Sequence, residues 1–158
     1  MLSTSGLYTL SLIVLALIAG ALVPFQAGTN AILGRTLGHP LWATVASLCV
    51  SLICILPLIL ALRLQLPKLD AAVQAPTWIW FGGLAGVIFI TAALMLVPRL
   101  GGTGFIACVI AGQMVTALII DHFGLMGLAE KSASLGRISG VLVIFAGVII
   151  IQRFTPPS

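Results

Sequence analysis

The sequence predicts an all-α integral membrane protein with five transmembrane helices. Of its 158 residues, 61% are hydrophobic and only 6% are charged, whereas a soluble domain has about 25% charged residues. A chain with so few charged side chains cannot cover its own surface in water, so lipid is the expected solvent. A hydrocarbon core about 30 Å thick needs about 20 apolar residues per helix. This length therefore allows four or five spans, in a single transmembrane domain over residues 1–158.

Five apolar segments, separated by short turns or by longer polar stretches, predict the helices. The first is long for one span and contains Pro24, whose missing backbone N–H predicts a kink. The second begins at Pro40, a residue suited to the first turn of a helix. The third ends before Pro98. The predicted helices are 7–37, 40–62, 77–97, 103–122 and 135–152.

The segment ends carry interfacial side chains. Tyr8, Trp42, Trp78 and Trp80 lie near these ends, as an aromatic belt predicts. The N-terminal stretch MLSTSG lacks the positive region of a cleavable signal peptide, so we expect the first segment to be retained as a span.

Glycines spaced four residues apart predict faces on which helices approach closely. Gly82 and Gly86 form such a pair in the third segment, and Gly136 and Gly140 form one in the fifth. Gly147 follows Gly140 by seven residues and so shares its face. Small residues of this kind indicate packing, not a particular function.

The net charge is +4, but the seven basic residues are scattered singly. Nucleic-acid binding requires a clustered basic surface, so no nucleic-acid partner is expected, and anchoring at the lipid interface explains these residues better. With five spans, the two sides of the membrane receive four and three basic residues. They are Arg63, Lys68, Lys131 and Arg137 on the N-terminal side, and Arg35, Arg99 and Arg153 on the other.

This near balance leaves two interpretations of membrane orientation open. One is a weak preference for the N-terminus inside, because cytoplasmic loops carry an excess of Lys and Arg. The other is dual topology, in which copies insert both ways and pair as an antiparallel homodimer of five plus five helices. Such a dimer has the architecture of inverted-repeat transporters, whose substrates bind near the bilayer midplane.

The residues that could support catalysis or metal binding show no useful spacing. Three acidic residues, two histidines and three cysteines form no nucleophile–base set and no metal-ligand pattern. Cys49, Cys54 and Cys108 lie in apolar runs, where we expect buried small hydrophobic side chains. The sequence therefore predicts no enzyme, no cofactor and no metal.

Three stretches carry a resemblance to a known family. They are VPFQAGTNAILGRTLGHPLWA at 23–43, WFGGLAGVIF at 80–89 and VPRLGGTGFIACVIAGQMVTALIIDHFGLMG at 97–127. They resemble the YdcZ-type five-helix family of the drug/metabolite transporter superfamily. The resemblance implies a multi-pass inner membrane transporter that works as a dimer of antiparallel units. Because some relatives occur as pairs of opposite orientation, it also allows a paralogous partner.

The last segment, SGVLVIFAGVIII, is similar to the terminal helix of small multidrug resistance proteins, which mediates dimer contact. That similarity implies dimer contacts at Gly140 and Gly147. Those proteins also rely on a glutamate in their first helix, and this chain has no acidic residue there. Their proton-coupled efflux mechanism is therefore not carried over.

Polar side chains in the first segment are the leading candidates for substrate binding. Gln26 and Asn30 are four residues apart and project from one helix face. With Pro24 nearby, they form either a substrate-binding notch at a kinked helix or an interhelical hydrogen bond that fixes packing.

The fourth segment carries a second set of polar candidates. Gln113 and Thr116 share one face near its middle, as substrate contacts or as packing groups. Asp121 and His122 end it. They are either a coupling pair, because ionisable groups at membrane depth are often functional, or an interfacial ion pair with Arg137.

Arginine and tryptophan side chains near the turns complete the candidate site. Arg99, with Arg35 on the same side, could receive an anionic substrate or act as a snorkelling anchor. Pro24 and Arg99 are predicted, with Asp121 and His122, to take part in coupling or gating. Trp42 and Trp80 could offer aromatic faces to a cation or belong to the aromatic belt. These features favour a secondary transporter of a small polar or amphipathic molecule that works by alternating access. The alternatives are a non-transporting subunit that scaffolds another membrane protein, and a channel, for which no filter-like stretch is visible.

Overall fold

The structure, a computed structural model, describes residues 4–155, which are almost entirely helical and contain no strand. Its helices are α1 (Thr4–Thr36), α2 (Pro40–Ala61), α3 (Leu69–Gln74), α4 (Phe81–His122) and α5 (Leu135–Phe154), with 3₁₀ turns at Thr77–Trp80 and Leu125–Gly127. The all-helical prediction is confirmed. The single domain predicted over 1–158 extends beyond the described residues at both ends and stays a prediction.

The described residues form two compact units. One contains residues 4–24 and 96–155, and the other contains residues 25–95. Helices α1 and α4 each contribute residues to both units.

Four helical segments are long and apolar enough to cross a membrane. The third of these, Thr77–His122, has 46 residues and would measure about 69 Å as one helix at about 1.5 Å per residue, more than twice the bilayer core. Its backbone is non-helical at Gly101, where φ is 71° and ψ is 157°. The stretches 81–100 and 102–122 on either side are each about 30 Å long, the length of one span.

This geometry corrects the predicted boundary between the third and fourth spans. The helix does not end at Val97, because helical backbone continues through Pro98 to Leu100. Proline lacks an N–H but still accepts a helical φ. The break falls instead at Gly101, since a positive φ of this kind suits only glycine.

Local capping sets the other helix ends. Pro40 opens α2 as predicted, and Nδ1 of His39 accepts a hydrogen bond from the N–H of Leu41 at 3.2 Å. Ser134 caps α5 by accepting from the N–H of Arg137 at 3.3 Å. Four predicted boundaries shift slightly: α1 spans 4–36 instead of 7–37, α2 ends at 61 instead of 62, and α5 ends at 154 instead of 152. The short helix α3 was not predicted, because six residues give too little periodicity.

The unit of residues 25–95 is held together by small residues. Ala43 on α2 is completely buried, and Ala31 of α1 and Leu94 of α4 join it in one cluster. A Cβ atom at Gly34 would lie 3.5 Å from Cα of Pro40 and 3.6 Å from side-chain atoms of Ala43 and Leu94. The backbones therefore approach closely here, as membrane helix packing requires.

The predicted glycine pairs are not these contact points. A Cβ at Gly82, Gly86, Gly140 or Gly147 would meet no other described atom within 4 Å. These faces are open in the single chain, so dimer contact at Gly140 and Gly147 stays a prediction.

Two further sequence expectations differ from the structure. Cys49, Cys54 and Cys108 are exposed, not buried, because apolar helix faces that point to lipid look the same in sequence as faces that point to another helix. The kink near Pro24 is not confirmed, since α1 is one helix from Thr4 to Thr36 with Pro24 inside it.

Candidate functional site

Asn30 joins α1 to α2 through an interhelical hydrogen bond. Its Nδ2 donates to Oγ of Ser47 at 3.1 Å, and the pair is partly buried. Asn30 was interpreted either as part of a substrate-binding notch or as an interhelical packing contact, and the structure contains the packing contact. Ser47 was missed in the sequence, although it follows Thr44 in the hydroxyl-bearing stretch TVAS.

Gln26, one turn before Asn30 on α1, behaves differently. Its side chain is exposed and has no hydrogen-bond partner among the described residues. The only bond at this residue outside the helix ladder is made by its carbonyl, which accepts from Oγ1 of Thr29 at 3.1 Å. The two amides thus share a helix face, and of the two only Asn30 has a side-chain partner among the described residues.

A buried threonine pair lies in the same unit. Oγ1 of Thr44 is 3.2 Å from Oγ1 of Thr91, and Thr44 is 3% exposed. This pair connects α2 with the first part of α4. Nothing in the sequence indicates it, because a helical threonine commonly bonds its own preceding turn, as Thr44 also does to the carbonyl of Pro40 at 3.4 Å.

Trp42 lies near the start of α2 with its side chain largely exposed. Trp80 has a similar exposure at the end of the 3₁₀ turn before α4. Both positions fit an aromatic belt at the interface. A role for Trp42 in substrate binding stays a prediction.

In the other unit, Gln113 is exposed on α4 and, like Gln26, has no side-chain partner among residues 4–155. Thr116 is also exposed, and its Oγ1 donates to the carbonyl of Gly112 on its own helix at 3.1 Å. The hydroxyl of Thr116 is therefore satisfied locally, whereas the amide of Gln113 is not.

Asp121 and His122 organise the connection between α4 and α5. Nη2 of Arg137 donates to Oδ2 of Asp121 in an ion pair, and Nη1 donates to the carbonyl of Lys131 at 2.8 Å. The N–H of Lys131 donates to the carbonyl of Asp121 at 2.7 Å. Nδ1 of His122 accepts from the N–H of Ala133 at 3.2 Å. The ion-pair alternative considered for Asp121 is the one that forms.

Two cavities lie in this unit. The first, of about 310 Å³, has the Asp121–Arg137 pair and Gly140 in its wall, with apolar side chains around them; its lining is Met114, Ala117, Leu118, Asp121, Arg137, Gly140, Val141 and Ile144. The second, of about 460 Å³, is almost wholly apolar and is lined by Pro24, Gly102, Thr103, Ile106, Ala107, Ile110 and Ile151. Neither is lined by Gln26, Asn30 or Gln113.

The side chain of Gln152 makes a polar contact that the sequence pattern did not predict. Its Nε2 donates to the carbonyl of Gly104 at 3.2 Å and lies 3.4 Å from Sγ of Cys108. A Cβ at position 104 would stand 3.0 Å from that nitrogen, so glycine makes the contact possible. The available signal was a lone amide that follows the apolar run VLVIFAGVIII near the end of α5.

Arg99 is the remaining predicted site residue. Arg99 is exposed on α4 two residues before Gly101, and its gating role stays a prediction. Among the described residues, no group of three or more His, Cys, Asp or Glu side chains could hold a metal ion.

Four long apolar helical segments among the described residues define a small multi-pass membrane protein. The sequence model of the family described as "Putative inner membrane exporter, YdcZ" matches residues 11–150. The chain therefore belongs to this family, which confirms the resemblance found in the sequence, places the protein in the inner membrane and indicates a membrane transporter. No curated protein and no solved structure matched it.

The Asn30–Ser47 contact should be measurable as a coupling free energy. We expect Asn30→Ala and Ser47→Ala to show a coupling of about 0.6 kcal/mol, the average for interhelical hydrogen bonds in membranes. A double-mutant cycle on unfolding in mixed micelles measures it. The matched control pairs Asn30→Ala with Ser51→Ala, because Oγ of Ser51 bonds its own helix at 2.9 Å. If the effects of Asn30→Ala and Ser47→Ala on the free energy of unfolding are additive, the Asn30–Ser47 bond does not hold α1 and α2 together.

Proposed function

We propose that the protein is a secondary transporter that moves a small polar or amphipathic molecule across the inner membrane by alternating access. Gln26 and Gln113 are the groups that contact the substrate. The observation that carries this proposal is that both amides are exposed and without a side-chain partner among the described residues. Membership of an exporter family supports the same function.

The depth of these amides makes their lack of partners significant. Gln26 lies ten residues before the end of α1, and Gln113 lies nine residues before the end of α4. At about 1.5 Å per residue, each is about 14–15 Å from its helix end, close to half of a core about 30 Å thick. An amide facing hydrocarbon there would cost several kcal/mol. A water-filled or substrate-filled space removes that cost.

The other polar residues then have supporting roles. The bond from Asn30 to Ser47 fixes the face of α1 that carries Gln26. The Asp121–Arg137 pair, with His122, joins the end of α4 to the start of α5, and opening and closing of this pair is the gating step that we propose for it. Thr116, Trp42, Pro24 and Arg99 stay as the secondary contacts and gating residues expected from the sequence.

A non-transporting subunit is the second candidate function. The open faces at Gly140 and Gly147 favour it, because a partner membrane protein could cover them and could also satisfy Gln26 and Gln113. In that case no small molecule would bind to the isolated chain.

We further propose that the transporter is an antiparallel homodimer. The basic residues are almost evenly divided between the two sides predicted for five spans, so neither insertion direction is strongly favoured. The open faces at Gly140 and Gly147 provide the surface for the partner copy.

Ligand-dependent stability tests the transport proposal. The purified protein is heated with a panel of small polar and amphipathic compounds, and we expect at least one to raise Tm. Gln26→Leu and Gln113→Leu should each weaken binding of that compound by roughly threefold to tenfold, since a neutral hydrogen bond contributes about 0.5–1.5 kcal/mol. The same compound should show saturable flux into proteoliposomes.

Gln74→Leu is the matched control for that experiment. Gln74 is exposed on α3, outside the membrane-spanning segments, so its removal should leave the ligand-induced shift unchanged. If no compound shifts Tm, or if a shift survives in both Gln26→Leu and Gln113→Leu, the scaffold function replaces transport.

Terminal tags test the antiparallel arrangement. Tags on either terminus should be accessible from both sides of native membranes in comparable amounts. Ser132→Arg adds one positive charge to the α4–α5 connection and should shift that ratio measurably, because Lys and Arg bias insertion. A single dominant orientation in the unaltered chain would contradict the homodimer and direct attention to an oppositely oriented partner protein.

A further inference from the structure

The connection between α2 and α4 exposes large apolar side chains. Residues 62–80 are here called the α2–α4 connection. In it, the side chain of Leu66 is 91% exposed and that of Val73 is 84% exposed. Other large apolar residues in it are also exposed: Leu62, Leu64, Leu69, Trp78, Ile79 and Trp80. Large apolar side chains exposed in a connection between helices favour a contact with a partner or a membrane.

Both ends of the α2–α4 connection adjoin helices that are long and apolar enough to cross a membrane. Helix α2 stops at Ala61, where the N–H of Arg63 bonds the carbonyl of Leu60 at 3.1 Å and the N–H of Leu64 bonds that of Ile59 at 3.2 Å. This is the pattern of a Schellman motif. The next apolar span begins at Thr77.

The stretch between these two points cannot cross the bilayer. Residues 62–76 include Gln65, Lys68 and Asp70, and 62–68 has no regular helix. Backbone groups without internal hydrogen bonds are not tolerated in hydrocarbon. The stretch therefore starts and ends on one membrane surface and stays close to it.

The side chains divide into an apolar and a polar set. On α3, Leu69 and Val73 are four residues apart and share one face, whereas Asp70 and Gln74 share another. Arg63 and Lys68 add two positive charges against the single negative charge of Asp70. Apolar side chains beside basic residues are typical of segments that lie in the interface of anionic bilayers.

We propose that the α2–α4 connection is an interfacial membrane anchor. Its leucine, valine and tryptophan side chains enter the head-group region, and Arg63 and Lys68 contact anionic lipid head groups. The anchor holds the ends of α2 and α4 at a fixed depth. This inference does not depend on the transport proposal.

A tryptophan probe at Leu66 tests the anchor. The three native tryptophans are replaced by phenylalanine, Leu66→Trp is introduced, and the full chain is reconstituted in vesicles of phosphatidylglycerol and phosphatidylcholine. We expect blue-shifted emission, quenching by lipids brominated on their acyl chains, and weak quenching by aqueous acrylamide.

Ser132→Trp in the same background is the control, because Ser132 is exposed in the polar stretch AEKSAS. It should respond mainly to acrylamide. If the Leu66 probe responds to acrylamide as strongly as the Ser132 probe, the connection lies in water and the proposal fails. Shielding from both quenchers would place a protein partner on this surface and would equally overturn it.

The basic residues are tested with Arg63→Asn and Lys68→Gln together. Asparagine tolerates the left-handed backbone of position 63, where φ is 50°. In the Leu66→Trp chain that retains both basic residues, vesicles with phosphatidylglycerol should favour insertion of the probe by roughly fivefold per basic residue over vesicles of phosphatidylcholine alone. The double variant should lose that preference. An unchanged preference would contradict the contact with anionic lipid.

Discussion

Because the hydrocarbon core offers no hydrogen bonds, every polar group within it needs a partner in the protein, in enclosed water or in a bound ligand. Helices satisfy their own backbone, which explains why the described chain is almost all helix. Side chains need separate partners. Asn30 with Ser47, Thr44 with Thr91, and Gln152 with the carbonyl of Gly104 each provide one between two helices.

The same constraint separates amides that have a partner in the chain from those that we propose contact the substrate. Asn30, Gln26 and Gln113 look alike in the sequence, as lone amides in apolar segments. In the structure Asn30 has a partner on a neighbouring helix, whereas Gln26 and Gln113 have none among the described residues. Interhelical hydrogen bonds contribute only about 0.6 kcal/mol on average, so a helix can exchange such a bond for one with a substrate at little cost.

Close packing depends on a few small residues, and these were hard to identify from the sequence. Gly34 lies against Pro40, Ala43 and Leu94, and Gly104 lies against Gln152. The regularly spaced Gly82, Gly86 and Gly140 have no such neighbours among the described residues. Spacing shows which residues share a face, but lipid and helix neighbours are both apolar, so the pattern does not show which faces meet. The three exposed cysteines were assigned wrongly for the same reason.

What could be predicted followed from strong local rules. The apolar segments, the first-turn role of Pro40 and the ion pair of Asp121 with Arg137 each depend on charge, hydropathy or proline chemistry that a sequence displays directly. The break at Gly101, the choice of Ser47 as partner and the contact made by Gln152 depend on three-dimensional neighbours. Gln26 and Gln113 could be named from the sequence, but not separated from Asn30.

Water accessibility of these two positions tests the account most directly. Gln26→Cys and Gln113→Cys are placed in a chain whose three native cysteines are replaced by alanine, and native membranes are treated with a hydrophilic maleimide. We predict that both react, whereas Phe25→Cys and Val115→Cys, at exposed apolar neighbours, do not. If the glutamine positions are as unreactive as these controls, they face lipid or protein, and no polar pathway reaches them.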